Sequence, residues 1–194
     1  MKTAALLTAA LLATSAQAQV IFSDDFEANP LALNSVPAGW TVINAGTVDV
    51  IGADWGLCGA TGKCIDLDGS NSLSGVLSRS FALNAGTTYT LSFDIAGNRR
   101  GTGTETGTVS FGTASLNYSL TDSSLAAPYQ TLSLAFTPGA SGAYTLSFAN
   151  NGGDNMGAIL DNVAITTAVP EPASAALMLF GLGGVALLKR RRSA

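Results

Sequence analysis

The chain has 194 residues and contains no histidine. This absence removes the Ser-His-Asp triad, Cys-His pairs, His-based zinc sites and every general acid–base mechanism that relies on imidazole. Glycosidase chemistry that uses only carboxylates stays open, since it needs just two acidic side chains. No motif in the sequence marks such a pair, so we predict that the protein is not an enzyme.

Positive charge is also scarce. Five of the nine Lys and Arg residues lie in the terminal segments 1–18 and 169–194. Residues 19–168 therefore hold four cations against twelve acids, a formal net charge of −8. Nucleic-acid binding needs a basic surface, and anionic lipid needs one equally. We predict no nucleic-acid partner for this part of the chain.

The N-terminal 18 residues have the pattern of a secretory signal peptide. Lys2 supplies the positive start, residues 4–13 are apolar, and Ala16-Gln17-Ala18 is a small-residue cleavage site. Cleavage there leaves Gln19 as the new N-terminus. We predict that the protein is exported through the inner membrane.

The C-terminal segment has three parts: a short motif (169–172), an uncharged apolar run (173–188) and a basic tail (189–194). Sixteen helical residues span roughly 24 Å, slightly less than the roughly 30 Å hydrocarbon core of a bilayer. The flanking cations can extend to the interface and should stay cytoplasmic. We predict a transmembrane helix over 173–188 that holds the preceding residues outside the cytoplasm.

The order of these parts resembles the PEP-CTERM sorting signal of Gram-negative bacteria that make extracellular polysaccharide. The signal residues are Val169, Pro170, Glu171, Pro172, Lys189, Arg190, Arg191 and Arg192. The resemblance implies an exosortase partner that recognises the Pro-Glu-Pro motif and cleaves near it. The protein would then reach the cell surface or the extracellular space. A permanent membrane anchor is the alternative interpretation.

The sequence contains two cysteines, Cys58 and Cys64, which are six positions apart. In the oxidising compartment that the export signals indicate, we predict that they form a local disulfide. A metal site would need further soft ligands, and the sequence has none.

Residues 19–168 have the size of one domain and the pattern of an all-β fold. Apolar residues alternate with Ser, Thr and Asp in short runs such as 88–95, 132–136 and 144–148. Period-two alternation is typical of strands buried on one face, and Gly, Asn and Pro separate the runs. We predict roughly ten strands in a two-sheet antiparallel β-sandwich of the jelly-roll type.

Three segments strengthen this prediction: 64–70 (CIDLDGS), 85–98 (AGTTYTLSFDIAGN) and 157–163 (GAILDNV). Together they resemble galactose-binding-like jelly rolls, which include carbohydrate-binding modules. The resemblance implies a sandwich that binds glycan, although these phrases specify the fold better than the ligand.

A calcium site is one implication of that resemblance. Asp24, Asp25 and Glu27 lie near the mature N-terminus, and Asp161 lies near the C-terminal strand. Terminal strands are often neighbours in jelly rolls, and oxygen ligands suit Ca²⁺. We therefore predict Asp25, Glu27 and Asp161 as ligands of a structural calcium ion. Solvated acids with turn hydrogen bonds are the alternative.

Three residues are candidates for glycan contact. Trp55 lies in a Gly-rich loop and could stack on a sugar ring, whereas Trp40 leads into a strand and should belong to the core. Arg99 and Arg100 follow a strand and offer planar donors to hydroxyls or carboxylates. Ordinary solvation of the two arginines is the alternative.

The sequence thus predicts an exported envelope or matrix protein whose β-sandwich binds glycan or exopolysaccharide. The alternatives are a structural matrix protein without a specific ligand, a small glycoside hydrolase or lyase, and an ice-binding protein. The last of these would need a regular Thr-rich face, which the sequence does not indicate.

Overall fold

The structure is a computed structural model that describes residues 18–59, 62–121 and 124–168. The predicted signal peptide, transmembrane helix and PEP-CTERM segment lie outside these residues. Among them, no helix has the length and apolarity that a bilayer crossing requires.

The described residues form twelve strands and one turn of 3-10 helix at Ala53–Trp55. The strands are β1 (Gln19–Asp24), β2 (Ala32–Ser35), β3 (Thr41–Ile43), β4 (Val48–Gly52), β5 (Lys63–Asp66), β6 (Val76–Leu83), β7 (Tyr89–Ala96), β8 (Glu105–Phe111), β9 (Ala114–Leu120), β10 (Gln130–Phe136), β11 (Gly142–Asn150) and β12 (Ile159–Thr167).

The strands form two sheets, as the sequence pattern predicts. The seven-stranded sheet has the order β10-β7-β12-β5-β4-β2, with β1 also paired to β12. The five-stranded sheet has the order β3-β6-β11-β8-β9. All ladders between these strands are antiparallel. The described residues therefore form an all-β two-sheet sandwich.

Alternating side chains of both sheets fill the space between them. Leu91, Phe93 and Ile95 point inward from β7, and Leu146 and Phe148 do so from β11. The rings of Phe93 and Phe148 meet edge to face with centroids 5.2 Å apart, which is a favourable aromatic arrangement. Burial of these apolar faces drives the two sheets together.

Trp40 belongs to this core and is 5% exposed. Its indole Nε1 donates to Asp24 Oδ2 at 2.7 Å, so the polar end of the buried ring is paired. The prediction that Trp40 is a core residue is confirmed.

The repeated phrases GTTYTLSF (86–93) and GAYTLSF (142–148) form β7 and β11, which lie in different sheets. Loops 67–75, 97–104 and 151–158 meet at one end of the sandwich, here called the loop end. Residues Gln19 and Thr167 pair at the opposite end. The chain therefore leaves the sandwich far from the loop end.

Candidate functional site

Three polar residues form a row across the outer face of the seven-stranded sheet. In the strand register, Asp161 lies opposite Asp94, and Asp94 lies opposite Thr131. Asp94 Oδ1 accepts the Thr131 hydroxyl at 2.5 Å, and Asp94 Oδ2 accepts Asn162 Nδ2 at 3.0 Å. Both oxygens of Asp94 therefore accept hydrogen bonds. We call Asp161, Asp94 and Thr131 the acidic row.

Asp161 accepts fewer described hydrogen bonds than Asp94, the other acid of this row. Burial is the main cause that raises its pKa to about 6, and the charges of Asp94, Glu27 and Asp25 raise it further. The N–H of Asn162 opposes this rise by donating to Asp161 Oδ1 at 2.7 Å. The site thus concentrates negative charge that the protein itself does not neutralise.

The structure brings the predicted calcium ligands to one depression. Asp25, Glu27 and Asp161 line it, because β1 pairs with β12. One oxygen of each carboxylate accepts a backbone N–H, that of Glu27, Lys63 and Asn162 respectively. Among the hydrogen bonds between described residues, none involves the second oxygen of these carboxylates, so three hard oxygen donors remain there.

The donor chemistry therefore suits a hard cation such as Ca²⁺. Across the described ranges, however, no three acidic or cysteine side chains are arranged closely enough to hold a metal ion. Calcium binding at Asp25, Glu27 and Asp161 stays a prediction, and it requires these side chains to move closer together.

Arg99 lies at the loop end beside the acidic row. Its guanidinium carbon is 5.4 Å from the ring centroid of Tyr129, within cation–π range. Arg99 Nη2 also donates to the Leu125 carbonyl at 2.5 Å. Burial raises the Tyr129 pKa, as does the charge of Asp161, so Tyr129 stays protonated. These contacts hold Arg99 in one orientation. Among the described residues, the Leu125 carbonyl accepts from Nη2, and Nε is buried without a partner.

Trp55 lies on the loop that contacts Tyr129. The 3-10 turn ends at Gly56, and the indole of Trp55 is 51% exposed. Two residues later, the Leu57 carbonyl accepts the Tyr129 hydroxyl at 3.4 Å. Arg99 thus contacts Tyr129 directly, and Tyr129 is linked to Trp55 through the short segment that ends at Leu57.

The predicted disulfide between Cys58 and Cys64 is present. Both half-cystines are buried and pack with Ile51, Leu57 and Ile159, next to the partly buried Tyr129. The disulfide therefore holds the Trp55 loop against the end of the seven-stranded sheet.

Arg100 points in a different direction from Arg99. Its Nη1 donates to Asp66 Oδ2 at 2.9 Å, and Asp66 is fully buried. Desolvation raises the Asp66 pKa to about 7, against the opposing charge of Arg100. The structure thus pairs Arg100 with a buried acid. From its position beside Arg99, we had expected a ligand contact.

Sequence reasoning did not identify Tyr129, Thr131 and Asn162 as part of this surface. The alternation in β7 and β10 could have placed Asp94 and Thr131 on outer faces. The neighbouring strand in the sheet, and hence the row itself, depends on pairing between residues far apart in the chain.

Comparison with solved structures supports the fold. The CBM22-1 xylan-binding domain from Paenibacillus barcinonensis is similar, with a TM-score of 0.56, 12% identity, and coverage of 81% of this chain and 99% of that domain. A cleaved adhesin domain of Lys-gingipain from Porphyromonas gingivalis has a TM-score of 0.52, 16% identity, and coverage of 77% and 99%. At these identities the likeness shows the fold alone.

Two family models match the sequence, and no curated protein matches it. The PEP-CTERM protein-sorting motif matches residues 168–192, which confirms the resemblance drawn from the C-terminal segment. The model of DUF642, a protein family of unknown function, matches residues 20–166. Since that match covers most of the chain, the protein belongs to the DUF642 family and carries a PEP-CTERM sorting motif at its C-terminal end.

Proposed function

We propose that the protein is a non-enzymatic, exported glycan-binding protein. Its binding surface comprises Trp55, Arg99, Tyr129 and the acidic row, and we call it the Trp55 surface. The observation that carries the proposal is the contact chain from the exposed Trp55 loop through Tyr129 to Arg99. This series of contacts brings an exposed aromatic ring, oriented guanidinium donors and carboxylate acceptors together on one side of the sheet.

Each group has a defined role in this proposal. The exposed Trp55 ring stacks on the apolar C–H face of a sugar. Arg99 donates to ring or hydroxyl oxygens, and its contact with Tyr129 lowers the entropy lost on binding. Asp161 accepts sugar hydroxyls through its unpaired oxygen. The TM-scores of the xylan-binding domain and the adhesin domain support the choice of scaffold.

Hydrolysis of the bound glycan is the less favoured alternative. Asp94 and Asp161 are neighbouring acids, but both oxygens of Asp94 already accept hydrogen bonds from Thr131 and Asn162. A glycosidase needs two carboxylates, one as general acid and one as nucleophile or base, and the hydrogen bonds of Asp94 leave Asp161 without a free partner acid in the row. Measurement of polymer length after prolonged incubation tests this alternative, and we expect no change.

The full-length chain in detergent is the material for the binding test, with a panel that includes the host exopolysaccharide. We expect saturable binding to one sugar class, reduced at least about tenfold by Trp55→Ala or Arg99→Gln. Ile43→Ala is the matched control, because Ile43 is 50% exposed but lies on the five-stranded sheet. Absence of binding by a folded protein would favour the structural matrix alternative.

We further propose that an exosortase processes the protein at the Pro170-Glu171-Pro172 motif and releases it to the cell surface or the medium. Mass spectrometry of the mature protein tests this. Loss of residues 173–194 from protein made in an exosortase-containing host supports processing, and their retention supports a permanent anchor. Glu171→Ala should block the loss without changing export.

A further inference from the structure

Arg79 occupies an unusual position for a charged residue. It lies in the inward-facing row of β6 between Leu77 and Phe81. Its guanidinium carbon is 4.5 Å from the ring centroid of Phe22 and 5.7 Å from that of Phe81. Phe22 belongs to β1, so Arg79 lies where the two sheets face each other beside that strand. Two aromatic contacts therefore fix the plane of this guanidinium.

The backbone leaves space for the guanidinium. Gly39 has a φ of +77°, and a Cβ added there would lie 2.6 Å from Arg79 Nη1. The nearby acid Asp24 is already used, since its two oxygens accept the Phe26 N–H and the Trp40 indole. The geometry thus accommodates the arginine, and no described hydrogen bond supplies it with an acceptor.

The other three cations of residues 19–168 all have polar partners. Lys63 donates to two backbone carbonyls, Arg99 to the Leu125 carbonyl and Arg100 to Asp66. Among the described hydrogen bonds and ion pairs, none involves the Arg79 guanidinium, and none of its nitrogens is a buried unpaired atom. Its donors therefore reach solvent, and they remain available to a ligand.

A groove of about 430 Å³ begins at Phe81. Its polar lining consists of amides and hydroxyls, from Gln19, Asn84, Thr87, Tyr89 and Thr167, and no charged side chain of the described residues lines it. This volume lies within the range of small-ligand sites. An amide and hydroxyl lining beside an aromatic ring suits the neutral, hydroxyl-bearing part of a sugar.

We propose that Arg79 and this groove form a second binding site, which takes the carboxylate of an acidic sugar. Stacking on Phe22 leaves the edge of the guanidinium free for a bidentate contact with a carboxylate. The groove then receives the hydroxyls of the same or the next sugar unit. This site is separate from the Trp55 surface and does not depend on glycan binding there.

The formal net charge of −8 for residues 19–168 opposes binding of a long polyanion. At physiological ionic strength this repulsion is screened beyond about 8 Å. The ligand of the Arg79 site is therefore a short acidic oligosaccharide or the acidic end of a chain.

Trigalacturonate and its fully methyl-esterified form are the probes, because esterification replaces each carboxylate with a neutral methyl ester and leaves the sugar hydroxyls unchanged. Calorimetry on the full-length chain in detergent should detect binding of the acid form. The protein should bind the ester at least about tenfold more weakly. Arg79→Gln should weaken the acid form about tenfold, and Arg79→Lys should do so by less. Leu73→Ala is the control and should leave this binding unchanged, because Leu73 is 52% exposed in the 67–75 loop and belongs to neither proposed site.

Equal affinity for the acid and the ester would overturn the proposal, as would unchanged binding by a folded Arg79→Gln variant. If that variant does not fold, the comparison of acid with ester on the unmodified chain still decides. Equal competition by triglutamate would also overturn it, because a peptide carboxylate would then suffice without the sugar.

Discussion

Arg100 Nη1 donates to Asp66 Oδ2 at 2.9 Å, and this ion pair joins the loop after β7 to the end of β5. The other oxygen of Asp66 accepts the N–H groups of Asp68 and Gly157. Next to it, Asp68 Oδ2 accepts the N–H of Gly153 at 2.6 Å. Two acids of one short segment therefore hold three loops together at the loop end.

Removal of the cation from this pair should destabilise the domain strongly. At pH values well above the Asp66 pKa of about 7, Arg100→Met leaves a buried carboxylate without its cation, and we expect a loss of about 3–5 kcal/mol in the free energy of unfolding. Urea denaturation followed by tryptophan fluorescence measures it. Arg99→Met, the adjacent residue, should cost far less, and equal effects of the two changes would contradict the assigned roles.

Stability should fall as pH rises from about 4 to about 7. Burial raises the pKa of Asp161 from 3.8 to about 6 and that of Asp66 from 3.8 to about 7. The folded protein therefore binds these protons more tightly than the unfolded chain. Their contribution is fully present below pH 3.8 and is lost as pH rises through the two higher values.

Asp161→Asn should flatten part of this pH dependence, because the side-chain oxygen is kept while the titrating group is removed. Melting temperatures at a series of pH values, in the presence of a chelator, measure the effect. An unchanged slope in the variant would show that Asp161 does not titrate differently in the folded protein.

Calcium should stabilise the protein if Asp25, Glu27 and Asp161 bind it. A ligand at a hundred times its dissociation constant adds about 2.7 kcal/mol, so we expect the melting temperature at neutral pH to rise by several degrees. The increase should disappear in Asp161→Asn and on addition of chelator. Magnesium is the control, since it prefers a smaller octahedral site.

Loss of the disulfide should have a local and a global effect. The Cys58→Ser, Cys64→Ser double variant should unfold with about 2 kcal/mol less free energy, because the closed loop is short. Since Leu57 and Tyr129 pack beside the disulfide, glycan binding at the Trp55 surface should weaken as well. Unfolding curves and binding isotherms under matched conditions test both effects. Full binding by the double variant would show that the disulfide does not support the binding surface.

Local patterns were sufficient for the fold class and for the disulfide. Alternation over 88–95 and 144–148 predicted β7 and β11. The short spacing of Cys58 and Cys64 predicted their disulfide, which the structure contains. These features depend on neighbouring residues, and a period of two or a close spacing is visible without the tertiary fold.

The contacts of the three predicted ligand residues were not visible in the same way. Arg99 and Arg100 are adjacent, yet one stacks on Tyr129 and the other pairs with Asp66. Their backbone turns between them, with Arg99 at a φ of 57°. Which partner each arginine reaches depends on loops that are distant in the chain.

The sequence by itself determined the PEP-CTERM sorting motif, the absence of histidine, the acidic charge and the all-β pattern, and it predicts an N-terminal export signal. Composition and short motifs carry that information. Tertiary structure alone decided that Asp161 lies beside Asp94, that Asp25 and Glu27 approach Asp161, and that Arg79 stacks on Phe22 with no acceptor among the described residues. Those relationships arise from strand order and register, because β pairing joins residues whose separation in the sequence holds no periodic signal.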